Sequence, residues 1–305
     1  MNGFINLNKP KGFTSFDCVA KLRRILQMKK IGHAGTLDPD ATGVLPIAVG
    51  QATRLLEYVT IATKSYRAGI NFGVKTTTQD ATGDVISTKK CPTLSKKDLL
   101  QILPLFTGEI SQIPPMYSAI KIDGKRLYEL ARKNIEVHRD ARRVVIHEIN
   151  LVEFTEGEFP EAIIDVVCSK GTYIRTLIDD IGEKLSTHAH MAHLVRLAVG
   201  EFIIENALNF EEISSSVLEH NLSFLLPLDY QLGRLGRLTV DADKARMLQN
   251  GVPIRKEDFT TDVSTYENIY RIYHNGRLIA IGRLDNDILK AVKVFVQREI
   301  DSANT

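Results

Sequence analysis

Apolar residues change period several times along this chain, and each change predicts an element. Over 14–27 (TSFDCVAKLRRILQ), Val19, Leu22, Ile25 and Leu26 share one face of a helix, and Lys21, Arg23 and Arg24 take the opposite face. Thr14 or Ser15 caps that helix, with Asp17 in its first turn. Residues 95–106 predict a second helix, capped by Ser95 with Asp98 three residues on. Residues 64–72 and 83–86 predict strands around a polar turn, and the Val- and Ile-rich segments 144–152 and 162–168 predict two more. Lys170–Gly171–Thr172 then turns the chain into a helix through about residue 185.

Elsewhere the pattern breaks. Gly32, Gly35, Gly43, Gly50, Pro39 and Pro46 punctuate 31–50, which predicts a long loop entering a short apolar strand. Residues 110–143 are mixed, with a Pro114–Pro115 stop, an Asp123–Gly124 turn and a short basic helix. A boundary is expected near 230–237, where QLGRLGR carries little core material. Beyond it a helix (about 241–249) stops at Asn250–Gly251 with Pro253 just after. Tyr266 to Tyr273, Asn275–Gly276 and Arg277 to Arg283 predict a hairpin, and Lys290 to Gln297 a third strand. This last region reads as a small all-β module.

Composition narrows the picture modestly. The 305 residues suggest two domains at ~150 residues each. With 44% hydrophobic and 25% charged residues, the chain can bury a sizeable core, which excludes wholesale disorder. Its 39 basic and 37 acidic side chains leave +2, so binding of a polyanion would need a local patch. Cys18, Cys91 and Cys168 make neither a disulfide framework nor a zinc pair, which points to a reducing compartment. No signal peptide and no run of ~20 apolar residues is seen, so a cytoplasmic protein with no membrane partner is expected.

The sharpest chemical candidate is Gly35–Thr36–Leu37–Asp38–Pro39. Proline pushes the residue before it out of the right-handed helical region, so Asp38 is held extended in a glycine-rich loop. Its carboxylate either starts a turn or faces a cleft. The second carboxylate that glycoside hydrolysis normally requires is missing here. His188, His190 and His193 invite a zinc site, but their spacing spreads them around a helix and no cysteine completes the set. A solvated or RNA-facing surface, without metal, is the expectation.

Seven basic residues and one acid lie from Lys9 to Lys30, and eight and four from Lys121 to Arg143, with Tyr117 and Tyr128 beside the second run. Such runs are either solvated helix faces or sites of phosphate contact and base stacking. Arg175, near Tyr173 at a strand-to-helix turn, is either a surface arginine or the partner of a buried carboxylate. Tyr66 is either a core tyrosine or part of a site. No phosphate-binding glycine motif supports a nucleotide cofactor.

Taken together, these segments resemble one family. GHAGTLDPDATGVLPIAVGQATR (32–54) resembles the active-site segment of the TruB family, the tRNA pseudouridine-55 synthases. NKPKGFTS (8–15), KSYRAGINFG (64–73), QIPPMYSAIKIDGKRLYELAR (112–132) and CSKGTYIRTLIDDIGEKL (168–185) extend the resemblance. The tail near 234–297 resembles the family's PUA-type RNA-binding module. The resemblance implies an α+β fold. A mixed, largely antiparallel sheet would form a catalytic domain over 1–232, with an RNA-clasping insertion at about 110–143. A small β-barrel-like PUA-type module would occupy 233–305.

The resemblance also implies roles. Asp38 would be the catalytic aspartate, Tyr66 the active-site tyrosine and Arg175 the arginine paired with the aspartate. His33 would hold the flipped-out arrangement of the RNA loop. Tyr173 and Leu194 would line the uracil pocket, and Lys9 and Pro10 would support the active-site loop. Lys121, Lys125, Arg126, Arg132 and Lys133 would bind RNA. The implied activity isomerises a T-loop uridine (position 55) of tRNA, with no cofactor and no guide RNA, in a monomer. Two departures stand out: Thr76–Thr77–Thr78 replaces a frequent Thr–Asp–Thr, and Ser186 and His188 follow Leu185 where glycine is usual. Competing classes are a non-catalytic RNA-folding factor, a guide-dependent synthase in a ribonucleoprotein and a sugar-cleaving hydrolase.

Overall fold

The computed structural model describes residues 1–122, 124–133, 135–261 and 268–295. The chain opens with the buried strand β1 (Gly3–Lys9), followed by α1 (Ser15–Ile25). Thr14 caps α1: its hydroxyl accepts the Asp17 amide, and the Asp17 carboxylate accepts the Thr14 amide. Residues 31–50 contain β2 (Ile31–His33), a loop and β3 (Thr42–Val49), which at 8 residues is longer than expected. Then come α2 (Leu56–Thr60) and β4 (Lys64–Phe72).

The partner expected for β4 lies elsewhere. Strands β5 (Val74–Thr76) and β6 (Val85–Thr88) pair with each other in a separate ribbon. Gly73, at φ +86°, turns the chain off the main sheet, and a Cβ there would lie 2.7 Å from the Lys89 carbonyl oxygen. The first unit continues through α3 (Lys96–Ile102), capped by Ser95, and β7 (Gly108–Gln112). The ribbon β8 (Lys121–Ile122) and β9 (Lys125–Arg126) follows, then α4 (Leu127–Ala131), β10 (Arg142–Thr155) and β11 (Glu161–Cys168). It closes with α5 (Ile174–Lys184), β12 (Ala189–Val199), β13 (Phe202–Ile203) and α6 (Phe210–Leu218).

The main sheet runs β1-β3-β12-β4-β11-β10-β7, with β2 on β3 and β13 on β12. Its one parallel pair among the described residues is β3 with β12. Tyr66, Ala68, Ile70 and Phe72 of β4 pack with Ile164 and Val166 of β11 against Leu177, Ile178 and Ile181 of α5. Each such aliphatic side chain contributes about 1.5–3 kcal/mol by leaving water. Ile5, Leu7, Leu45 and Ile47 are covered by Leu22 of α1 and Ile213 of α6.

Strands β1 and β12 and helix α6 escaped the sequence reading. In β12, His190, His193 and Arg196 interrupt the apolar alternation, yet the strand lies in mid-sheet. This corrects the expected histidine surface. His190 is buried, its Nδ1 3.0 Å from the carbonyl oxygen of Val74 in the β5–β6 ribbon, whereas His193 is exposed. His188 Nε2 lies 2.9 Å from Ser87 Oγ.

A second sheet follows: β14 (Gly236–Thr239), α7 (Ala242–Gln249), β15 (Ile254–Arg255), β16 (Thr260–Thr261), β17 (Ile269–His274), β18 (Arg277–Asp285) and β19 (Ile288–Val294). Its order is β15-β19-β18-β17-β14-β16, and it curls into half a barrel rather than closing. Asn275 (φ +49°) and Gly276 (φ +73°) form the left-handed two-residue turn of the expected hairpin. Asp123, Tyr266 and the strand end at Gln297 lie outside the described residues. Leu235, Ile269, Ile281 and Phe295 pack on Phe4, Leu55 and Tyr58, so one apolar cluster joins the two sheets. Lys293 also pairs with Glu57 at 2.6 Å. Among the described residues no helix is long and apolar enough to cross a membrane.

Candidate active site

The loop between β2 and β3 is bound carbonyl by carbonyl. Gly35 O accepts Arg196 Nη2 at 3.2 Å, and Thr36 O accepts Nη1 at 3.5 Å. Leu37 is bracketed by Ser15 Oγ, which donates to its carbonyl at 3.3 Å and accepts from its amide at 2.9 Å. Asp38 O accepts the Ala41 amide at 3.1 Å. Pro39 O accepts both the Gly12 amide and Lys9 Nζ, each at 2.9 Å. Five consecutive peptide units are thereby fixed, which is what a buried or half-buried loop needs.

Asp38 stands on this scaffold. Its Oδ2 lies 3.1 Å from Arg175 Nε, and its side chain is 41% exposed whereas Arg175 is 6% exposed. The carboxylate thus reaches solvent from densely packed surroundings. That packing pushes its pKa up; the Arg175 guanidinium pulls it down, and neighbouring Asp80 pushes it up again. Arg175 sits at the first turn of α5, where Lys170–Gly171–Thr172 delivers it. Its other nitrogens reach Thr78 O (3.2 Å), Tyr117 O (2.8 Å) and Asp80 Oδ2 (3.5 Å).

Asp80 itself is pinned by a threonine-rich turn. Its Oδ1 accepts Thr78 Oγ1 and Thr82 Oγ1, each at 2.6 Å, and the Thr82 amide at 3.0 Å. This turn is the Thr76–Thr77–Thr78 segment that departs from the family pattern, and it still delivers an acid to the site.

The other expected site residues divide into two groups. Tyr66 is buried at 7% exposure in the same cluster as Leu37 and Leu194. Burial raises its pKa, and the charge of Arg196, its cross-strand partner, opposes that rise. Tyr173 precedes α5, and the Asp38 charge acts on it as it does on Tyr66. Gln112 locks Tyr173 in place through both its backbone amide (3.0 Å) and carbonyl (3.2 Å). Lys9 is fully buried and donates to Pro10 O at 3.0 Å as well as to Pro39 O. Burial lowers its pKa against the pull of Asp38 and Asp40. His33 has a buried Nδ1 with no hydrogen-bond partner, and burial lowers its pKa.

Lys121, Lys125, Arg126, Arg132 and Lys133 stand apart. All five are exposed on the insertion, where Arg126 and Arg132 lie 5.8 and 5.4 Å from the Tyr128 ring. The expected basic helix shrinks to α4, five largely uncharged residues flanked by these cations. Among the described residues no group of three His, Cys, Asp or Glu is placed to hold a metal ion.

Sequence reasoning missed Asp80, Arg196, Ser15 and the Tyr117 carbonyl. Asp80 had a signal, since Asp within a Thr- and Gly-rich turn accepts local hydrogen bonds. Arg196 had one too: an arginine inside HLVRLAV is a charge in an apolar run, which the fold must satisfy internally.

Known proteins resemble this chain over most of its length. Residues 23–174 match the TruB family pseudouridylate synthase N-terminal domain, and residues 175–232 match the tRNA pseudouridylate synthase B C-terminal domain. The chain is 46% identical over 262 residues to tRNA pseudouridine synthase B of Bacillus cereus, covering 84% of this chain and 85% of that protein. It is 40% identical over 298 residues to the protein of the same name from Clostridium perfringens, covering 97% and 100%. Among solved structures it superposes on an H/ACA RNP bound to a substrate RNA containing 2'-deoxyuridine, with a TM-score of 0.74 at 23% identity over 97% of this chain and 86% of that one. A Cbf5-Nop10-Gar1 complex gives 0.72 at 26% identity, over 97% and 84%. The chain belongs to the TruB family of pseudouridylate synthases.

Proposed function

We propose that this chain isomerises the T-loop uridine at position 55 of tRNA to pseudouridine, with Asp38 as its catalytic carboxylate. The reading is carried by one observation: a single half-open carboxylate, fixed on a fully bonded loop and paired with a buried guanidinium at 3.1 Å. Isomerisation breaks the N-glycosidic bond, turns the uracil and joins C5 to the sugar. The base must be retained and water kept out, so one carboxylate suits this better than it suits hydrolysis. No group is imported and nothing is oxidised, so the reaction itself calls for no cofactor.

In this reading Asp38 acts at the sugar, as a nucleophile at C1′ or as a base at C2′. Arg175 keeps it ionised and aimed. Tyr66 stacks on the uracil, and Leu194 and Tyr173 close the pocket around it. Lys9 and the Pro10 carbonyl hold the loop, and His33 faces the RNA loop. The target base is everted into the site, at a cost of a few kcal/mol. Lys121, Lys125, Arg126, Arg132 and Lys133 attract and clasp the backbone, and the half-barrel serves as a PUA-type RNA-binding module. The domains divide near residue 232, and the protein acts as a cytoplasmic monomer without guide RNA. Relatives at 40% and 46% identity named for tRNA favour this over the guide-dependent mode, which only the more distant H/ACA structures suggest.

The test is tritium release from a tRNA transcript carrying 5-tritiated uridine, with purified protein alone. Release is expected for the wild-type chain. It is expected to vanish for Asp38→Asn while tRNA binding persists. No release without added guide RNA would overturn the guide-free reading, and normal release by Asp38→Asn would remove the catalytic assignment.

A further inference from the structure

Arg196 is the largest side chain buried to below 2% exposure, and it carries a full charge. Among the described residues no carboxylate pairs with it. The titratable groups that sense it are Tyr66, His33, Lys9 and Lys64, and three of these carry or can carry positive charge. An uncompensated buried cation is expensive, and a hydrophobic residue of similar size would suit a structural slot better. The guanidinium therefore needs a reason to be there.

We infer that Arg196 is a positioning residue for the reaction: one buried guanidinium braces the Asp38 loop from the strand position paired with Tyr66. The inference rests on the isomerase reading above and deepens it. Three of its contacts are backbone carbonyls on both sides of Asp38: Gly35 O at 3.2 Å and Thr36 O at 3.5 Å before it, and Val44 O at 2.7 Å after it. On the other side, backbone register pairs Arg196 with Tyr66 of the neighbouring strand β4. A flat fork of five N–H donors can span these three carbonyls, whereas an ammonium group radiates from one atom.

The backbone supplies a second, independent observation. Arg196 is paired directly with Gly43 in the parallel contact of β12 and β3. A Cβ on Gly43 would lie 2.3 Å from the Arg196 carbonyl oxygen, so the two backbones touch at the exit of the Asp38 loop. Arg196 is thereby fixed to the loop at its main chain and at its head group. Shifting either the carboxylate or the tyrosine by about 1 Å costs on the order of a hundredfold in rate when the reacting geometry is tight.

The experiment compares wild-type, Asp38→Asn, Arg196→Lys and Arg196→Gln chains by thermal unfolding, tRNA affinity and single-turnover pseudouridine formation at saturating enzyme. Arg196→Gln is expected to slow turnover about a hundredfold with tRNA affinity within about threefold of wild type. Arg196→Lys is expected to recover about tenfold of that loss. A folded Arg196→Gln chain with wild-type turnover, or a loss that appears wholly in affinity, overturns the inference. Should Arg196→Gln not fold, Arg196→Lys decides alone: a slowed rate at unchanged affinity supports it, and a wild-type rate overturns it. If neither folds, Arg196 holds the fold rather than the site and the inference falls. Inactivity of the wild-type chain would instead defeat the underlying isomerase reading, while leaving the Arg196 geometry untouched.

Discussion

Two regions of this molecule use the same residue types for opposite purposes. Around Asp38 the cations Lys9, Arg175 and Arg196 are buried and spend their donors on backbone carbonyls and carboxylates. On the insertion, Lys121, Lys125, Arg126, Arg132 and Lys133 face solvent. A buried cation has few neighbours and fixed geometry, so it sets where atoms stand. An exposed cation is screened within about 10 Å and holds no geometry, so it sets how strongly a polyanion is attracted. The two regions touch where Arg175 Nη2 donates to the Tyr117 carbonyl at 2.8 Å, which docks the start of the insertion on the guanidinium that pairs with Asp38.

The contrast breaks most visibly at Asp38. Asp38→Asn is expected to lower single-turnover pseudouridine formation by about 10⁴-fold or more, with tRNA affinity unchanged in a filter-binding titration. A parallel loss of affinity would blur the distinction between the regions. Arg175→Met is expected to cost about 10²–10³-fold in the same rate.

The pH profile sharpens the same point. Burial and Asp80 hold the Asp38 pKa above its ordinary value, and Arg175 opposes them. Activity requiring the ionised carboxylate therefore falls as pH drops through that raised value. Asp80→Asn removes a charge that raises it, so the acid limb of the rate profile is expected to move to lower pH. Arg175→Met is expected to move the limb upward. Limbs that stay in place would detach both residues from the carboxylate.

Neutralising Lys125, Arg126, Arg132 and Lys133 together should act only on affinity. The slope of log affinity against log salt is expected to flatten by about 3, with the saturating rate retained. The smallest effect is expected at Asp180, further along the helix whose first turn holds Arg175. Burial, with Asp179 and Glu183 nearby, raises the Asp180 pKa to about 6. The fold thus favours the protonated form, and stability is lost as pH rises from the unfolded carboxylate range through about 6. Asp180→Asn is expected to raise Tm by about 1–3 °C at pH 7.5 and leave it unchanged at pH 3.

Local chemistry made much of the fold legible. The Thr14 and Ser95 caps, the Asn275–Gly276 turn and the strands at 64–72 and 162–168 depend on neighbours in sequence, and they stand as the pattern predicts. Asp38, Tyr66 and Arg175 were reached through segments whose residues resemble a family. What stayed hidden depends on distant partners. Strand β12 looks polar because His190 and Arg196 interrupt it, yet each finds its acceptor on another element.

By itself, then, the sequence determined the helix ends, the turns and the identity of the family. Only the tertiary structure decided that Asp80 would stand beside Arg175, that Tyr117 would lend it a carbonyl, and that Arg196 would lie beneath the Asp38 loop. The reason is physical. A cap or turn is satisfied within a few residues, so its energy is written locally. A buried charge must be satisfied by whatever the fold brings to it, and for Arg196 that means carbonyls more than 150 positions away.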